Sequence, residues 1–410
     1  MGFIEASTAE RSIAQGRLSL DAARRRRTRV GELEAQIEQL KRVLRLAVVF
    51  GGDKTAPGAV INQFPNARSW KSYEKVAEDL AAALRRLGFA VVDLVPDDMR
   101  LGERLRTAGV NLAWLNTGGV QGLGSMCHAP AMLEMMGIPY VGHGPLAVGS
   151  LDFKHLFKRD LLLMGLPTAP FVVWHPAAGD LQPRLDPRFR EVFGDYRGPF
   201  VVKPVSGRAS QNVMVVDDAA DLQDAASGIF QTTENHVLIE TYLSGREYCV
   251  AVCGPTVARN GKLERLATPF VFSAIERVLD VDERIFTSMD QRPITNDRVR
   301  LLHPTADATL FEQLSSLATK VYRELGIETL VRLDIRADRD GRLYVLEANP
   351  KPDLKAPEGE QTSLVCAGLA AEGMSYDDLV LGLLADRLDM LFSQRRGTVH
   401  HLSQLLQQRH

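Results

Sequence analysis

Four polar residues near the C-terminus, Arg332, Asp334, Glu347 and Asn349, lie in two short alternating segments, Val331–Arg336 and Arg342–Asn349, on either side of Asp340-Gly341. An Asp-Gly pair between alternating segments is the strongest short-range hairpin signal, because both central residues of the tight turn need positive φ. With Asp340 and Gly341 as a two-residue loop, Arg339 faces Arg342. Counting along the ladder then sets Asp334 opposite Glu347 and Arg332 opposite Asn349. Side chains alternate faces with a period of two, so these four share one face, and Leu333, Ile335, Tyr344, Leu346 and Ala348 point into a core. Two carboxylates and a carboxamide beside an arginine can hold hard, oxygen-seeking cations against an anionic substrate. The plainer reading is a surface hairpin with its charges in water. Against it, Asn349 is followed by Pro350 and Pro352, which end the strand where a site would open. Like charges opposed on a ladder are also destabilising unless a cation neutralises them.

The elements that must position this hairpin read as alternating strands and helices. Leu46–Phe50 is an apolar strand entering Gly51-Gly52; Tyr73–Leu87 has helical periodicity and closes on Gly88; Phe89–Val95 and Asn111–Leu115 are further strands. That alternation indicates a parallel α/β layer up to about Ser150. The segment 118–124, with four glycines after the third strand, lacks the glycine order of a dinucleotide fingerprint and reads either as a substrate loop or as a tight turn. A helical segment, Asp152–Met164, leads to a second unit. It holds the strand Phe200–Pro204, the polar loop Val205–Asn212, a return strand Val213–Val216, the strand Val237–Glu240, a turn at Leu243-Ser244-Gly245 and the strand Arg246–Val252. From Gly254 to Pro304 no periodicity is evident, and a stretch of that length is expected to be functional, as a lid. A helix around Tyr376–Leu391 closes the fold, and Gln394–His410 reads as a loose polar tail.

The 410 residues call for two or three domains, with 45% hydrophobic and 24% charged residues, the balance of an ordinary globular protein. A net charge of −2 gives no general reason to expect nucleic acid or membrane partners. No stretch approaches the roughly 18 consecutive apolar residues of a membrane span, and no apolar signal core precedes a cleavage site. Cys127, Cys249, Cys253 and Cys366 are scattered without metal or disulfide spacing, which points to a reducing cytoplasm. Before the first strand, Val30, Leu33, Ile37, Leu40 and Leu44 form a short heptad seam that suits either packing on its own domain or a dimer contact; a homodimer is the expected assembly. The run Arg24–Arg27 reads as a solvated helix face.

Taken in order, Lys154, the strand Val201-Val202-Lys203-Pro204, the segment from Val237 to Glu247, and the pair Arg332-Leu333-Asp334 and Leu346-Glu347-Ala348-Asn349 resemble the ATP-grasp ligases, and most of all the D-alanine–D-alanine ligases. Gly373-Met374-Ser375-Tyr376 adds to the match, which runs from about Leu46 to Phe392. The resemblance implies a helical arm (1–45), a parallel α/β substrate domain (46–153), central (154–246) and C-terminal (247–392) ATP-grasp subdomains of α+β type, and a tail (393–410). It implies ATP as co-substrate, with Lys154 and Lys203 on the phosphates, Glu240 and the backbone near Leu243 at the adenine edge, and Glu247 on the ribose. Asp334, Glu347 and Asn349 would hold two Mg²⁺, or Mn²⁺ in their place. Arg332, Lys203 and Ser210 are the catalytic candidates. The chemistry implied is phosphorylation of a carboxylate to an acyl phosphate, then displacement of phosphate by an amine, with catalysis by positioning and charge neutralisation.

Departures from the family pattern collect on the substrate side. The loop Gly207-Arg208-Ala209-Ser210-Gln211-Asn212 keeps one glycine and one serine, and Ala209 stands where the D-alanine ligases use a serine near the substrate. The N-terminal glutamate that gathers their first amine has no clear counterpart; Asp53–Trp70 is inserted instead. After Asn349 a small glycine-containing loop is replaced by Pro350-Lys351-Pro352-Asp353-Leu354-Lys355. Its two lysines suggest an acidic or carboxylate-bearing substrate, the plainer reading being that they are solvated. Small carboxylate and amine substrates other than two D-alanines are therefore expected, with a D-alanine–D-alanine ligase, or a nucleotide-binding protein that uses its N-terminal helix for interaction, as the alternatives.

Overall fold

Among the described residues the chain forms three sheets of four or five strands and one two-stranded sheet. The computed structural model describes residues 29–63, 70–280, 283–285, 296–359, 363–395, 397 and 399–407. The run Arg24–Arg27 and most of the arm, part of the insertion 53–70 and part of the expected lid lie outside them. Near-continuous apolar runs make the first sheet, β1 (Arg45–Phe50), β2 (Val91–Pro96), β3 (Leu112–Asn116) and β4 (Tyr140–Val141), in the order β2-β1-β3-β4 and parallel throughout. Parallel strands are buried on both faces, which is why alternation is absent from them.

The second sheet is antiparallel, β5 (Phe171–Trp174), β6 (Phe200–Pro204), β7 (Met214–Val216) and β8 (Val237–Thr241), in the order β5-β8-β6-β7. Its core is aromatic, with Phe189, Phe193 and Phe200 in mutual contact. The third sheet begins with β9 (Glu247–Cys253). After a separate two-stranded hairpin, β10 (Thr256–Arg259) and β11 (Lys262–Arg265), it continues with β12 (Phe270–Arg277), β13 (Val299–Leu301), β14 (Val331–Ala337) and β15 (Leu343–Asn349), ordered β13-β12-β9-β14-β15. The segment expected to be a lid therefore supplies two strands of this sheet and a hairpin. Its period was hidden because β12 is bulged between Phe272 and Ile275, at Ser273 with φ +49°.

The β14–β15 hairpin pairs Arg332 with Asn349 and Asp334 with Glu347, as the count from the turn requires. The turn differs. Asp338 N–H donates to Arg342 O at 2.9 Å, leaving Arg339, Asp340 and Gly341 as a three-residue loop with Gly341 at φ +81°. A bulge between Asp334 and Ile335 offsets that extra residue, so two shifts cancel at the open end of the hairpin. Between them the faces exchange: Val345 joins the core, whereas Leu346 lines the cleft and Tyr344 is half-buried.

The helix Val30–Val43 buries Leu33, Ile37 and Leu40 within its own chain. The C-terminal residues are not a loose tail: His400–Gln407 is a helix, Leu402 is buried, and Gln39 Nε2 donates to Leu406 O at 2.8 Å. The helix Tyr376–Gln394 begins on a capping box between Ser375 and Asp378. It is buried along nearly its whole length, which explains its weak amphipathic pattern. Among the described residues no helix is long and apolar enough to cross a membrane.

Candidate functional site

The cleft lies between the second and third sheets and is closed at one end by the hairpin exit and by residues 71–73. Alternation on β14 aims Arg332, Asp334 and Arg336 into it, all three buried. Glu247 on β9 stands in register with Arg277 of β12 on one side and Arg336 of β14 on the other. Opposite charges opposed on a ladder attract. Arg277 reaches Glu247 Oε1 at 2.6 Å and Asp334 Oδ2 at 3.2 Å, Arg336 reaches Glu247 Oε2 at 3.4 Å, and Arg332 grips Asp334 with bonds of 2.8 and 3.1 Å. Burial alone would raise the Asp334 carboxyl; the charges of Arg277 and Arg332 overcome it and hold the group down at about 2.

A second cluster is made by the lysines. Lys154 opens the helix Lys154–Leu163 and lies 3.2 Å from Glu347 Oε2. One turn on, Lys158 is fully buried, 2.9 Å from Glu240 Oε2, and donates to Thr168 Oγ1 at 2.6 Å. Lys203 on β6 approaches the other oxygen of Glu240, on the neighbouring strand β8, at 2.5 Å. Burial opposes the charge of all three groups. Glu240 is nonetheless held down at about 2 by the two lysines, while Lys158 is pushed below the usual lysine range by burial.

All the expected nucleotide and metal residues meet here: Lys154, Lys203, Ser210, Glu240, Leu243, Glu247, Arg332, Asp334, Glu347 and Asn349 line one cleft. Glu240, assigned from the resemblance to the adenine edge, has both oxygens engaged by lysines, and Glu247, assigned to the ribose, accepts from two arginines. Asp334, Glu347 and Asn349 offer the hard oxygen donors that Mg²⁺ takes, and the Asn349 side-chain amide is buried with its Nδ2 unbonded. That donor set suits a divalent ion, which would supply positive charge against an anionic substrate. Ser210 belongs to a loop in which Ala209, Ser210 and Asn212 all have φ between +53° and +58°, the conformation glycine adopts most easily.

Two residues that line the cleft, Arg277 and Arg336, and one buried behind it, Lys158, went unread in the sequence. Lys158 follows Lys154 by four and so shares its helix face; Arg336 extends the period of Arg332 and Asp334 by one step; Arg277 sat in the unpatterned stretch. The 118–124 loop leaves the carboxyl end of β3 but does not line the cleft; Thr117, just before it, donates to Asp97 at 2.7 Å. Of the two lysines past Asn349, Lys351 lines the cleft and Lys355 does not.

The family model for the C-terminus of D-ala D-ala ligases matches residues 161–385, more than half of the chain. The chain belongs to the D-alanine–D-alanine ligase family. It is thus an ATP-grasp ligase that forms a C–N bond with release of ADP and phosphate. An uncharacterized protein, y4sG, of Sinorhizobium fredii is 30% identical over 83% of this ligase and 96% of its own length. A D-alanine–D-alanine ligase of Cupriavidus taiwanensis is 31% identical over 62% of this chain and 69% of its own. Among solved structures, the D-alanine–D-alanine ligase of Bacillus anthracis superposes with a TM-score of 0.59 at 20% identity, covering 84% of this chain and 98% of that one. The VanG D-Ala:D-Ser ligase of Enterococcus faecalis gives 0.58 at 17%, covering 84% and 99%. Both establish the shared fold.

Proposed function

We propose that this ligase couples a small carboxylate or amino acid to an amine other than in a pair of D-alanines. Lys154 and Lys203 are the phosphate ligands, Leu243 and Glu240 border the adenine, and Glu247 borders the ribose. Arg332 faces the transferred phosphoryl group, and Ser210 is the hydroxyl of the covering loop. Asp334, Glu347 and Asn349 would hold Mg²⁺, which neutralises phosphate charge when bound. The side chains position and neutralise; none needs to form a covalent bond. Lys154 already pairs with Glu347, so it can exchange that carboxylate for a phosphate oxygen.

The observation that carries the reading on substrates is the wall beyond Asn349. It is formed by Lys351, Pro352 and Asp353 in place of small residues, with Lys71 and Tyr73 opposite. Such a wall changes size and charge where the second nucleophile must enter. Phosphate release measured over pairs of amino acids tests it: turnover is expected with a pair other than two D-alanines. Strong turnover with D-alanine alone would overturn it in favour of a D-alanine–D-alanine ligase, a reading supported by the named activity of the Cupriavidus taiwanensis relative.

A further inference from the structure

The strand that carries Glu347 and Asn349, β15, is an edge of its sheet among the described strands, with β14 as its neighbour on one side. It is also bulged: Val345 pairs with Ile335 and Glu347 with Asp334, so Leu346 is the extra residue. A bulge interrupts the ladder, and a slip of one residue there would turn Glu347 and Asn349 away from the cleft. The strand is held at that point from outside the sheet. Val345, just before the bulge, donates its N–H to Pro167 O at 2.9 Å and accepts at its carbonyl from Thr168 Oγ1 at 2.7 Å. Pro167 and Thr168 lie between the helix Lys154–Leu163 and β5.

The Thr168 hydroxyl has a second partner. The buried Lys158 ammonium donates to the same Oγ1 at 2.6 Å. An ammonium only donates and a carbonyl only accepts, so the single hydroxyl proton points to Val345. Lys158 in turn stands 2.9 Å from Glu240 Oε2, and Glu240 Oε1 meets Lys203 at 2.5 Å. The Phe171 ring covers Lys158, its centroid 5.3 Å from Nζ. The result is one buried chain, Lys203–Glu240–Lys158–Thr168–Val345, running from β6 and β8 of the second sheet to β15 of the third. Polar groups joined in such a chain polarise one another, and where water is excluded a missing link is not made good. Thr168 is not among the residues that line the cleft, so it acts through the groups it holds.

We propose that Thr168 is a positioning residue of this ligase: its hydroxyl pins β15 to the lysine–glutamate cluster and so sets where Glu347 and Asn349 stand relative to the nucleotide-binding side chains. The proposal rests on the ligase reading above, with nucleotide at Lys203 and Glu240 and Mg²⁺ at the hairpin. Its consequence is a share of nucleotide affinity that exists only when the ion is present. Without the hydroxyl, β15 can shift at its bulge and the ion loses well-placed oxygen donors. Glu240 keeps both of its lysines, so the contacts to the base are unaffected.

The test is calorimetric titration of the full chain with the non-hydrolysable nucleotide AMP-PNP, once in excess Mg²⁺ and once in EDTA. Thr168→Val keeps the shape of the side chain without its hydroxyl. It is expected to weaken binding about fivefold or more in Mg²⁺ and less than about twofold in EDTA, the worth of one buried hydrogen bond. Thr168→Ser keeps the hydroxyl and should bind as the native chain does in both buffers. Thr168→Ala removes the hydroxyl with a different change of volume; it should reproduce the Mg²⁺-selective loss, and it stands in if Thr168→Val does not fold. Circular dichroism checks the fold of each variant. An equal loss in both buffers, no loss, or a Thr168→Ser chain as weak as Thr168→Val overturns the positioning role, as does failure of both Thr168→Val and Thr168→Ala to fold. A native chain that binds AMP-PNP in neither buffer would instead remove the nucleotide reading on which the role rests.

Discussion

At the nucleotide end of the cleft, charged side chains are buried on antiparallel sheets and answered by one another; at the substrate end, the same kinds of side chain hang from loops anchored on the carboxyl edge of a parallel sheet. The buried acids of the nucleotide end and a buried acid on the carboxyl edge of the parallel sheet, outside the cleft lining, are shifted in opposite directions. Glu240 and Asp334 are held at about 2 by neighbouring cations that outweigh burial. Asp97, just past β2 of the first sheet, is pushed up to about 6 by burial, opposed by the donation from Thr117. The cleft holds its charge as matched pairs, whereas the parallel sheet's carboxyl edge holds a buried acid whose ionised form is disfavoured.

The sharpest way to break this contrast is to remove an anion from a matched cluster. Glu240→Gln strands Lys158 and Lys203, and Asp334→Asn strands Arg332 and removes one of the carboxylates that answer Arg277, which keeps Glu247. Each is expected to cost about 3–5 kcal/mol in urea melts. Asp334→Asn should also lower phosphate release by about 10²-fold or more. Lys158→Met is the control: it leaves Glu240 paired with Lys203, so stability should change by less than about 1.5 kcal/mol. A large loss there would show that the cluster is not organised by charge balance.

A second comparison uses pH. The folded pKa of Glu240 and of Asp334 is depressed, so their stabilisation is complete above the unfolded values near 4 and disappears as pH falls toward 2. Asp97 has the opposite sign. Its raised pKa lowers stability as pH climbs from about 4 through about 6. Asp97→Asn should therefore gain about 2–3 kcal/mol at pH 7 and nothing at pH 3, read from melts at both values. An unchanged pH profile would mean that Asp97 ionises as freely as in water.

The smallest effect concerns the cleft loop 207–212. Ala209 is held at φ +56°, so Ala209→Gly should stabilise the protein by about 1 kcal/mol, visible as a rise in melting temperature. A loss would mean that the methyl group is packed to some purpose.

How much of this was legible varied with the local pattern. The hairpin declared its pairing through alternation and an Asp-Gly turn, yet the turn has three residues and the register survives only because a bulge compensates. Arg277 was illegible because Ser273 interrupts the period of β12, and nothing local says that a bulged strand lies beside Glu247. Lys158 was within reach, being one helical turn from Lys154, but its burial depends on Glu240 and Thr168, which come from elsewhere in the chain. The C-terminal helix was missed because its short apolar stripe gains meaning only against the Val30–Val43 helix.

Residue types and spacing on single elements carried the ligase identity, since period two on β14 and β15 and period 3.6 after Lys154 place donors on a face wherever the element is packed. The partners that tune those donors were decided by tertiary structure, because Glu240 with its two lysines and Asp334 with its two arginines are joined across strands and helices far apart in sequence. The same holds for the meeting of Thr168 and Val345. Periodicity is a local property of the backbone; which charges share a buried volume is a property of how the sheets close on one another.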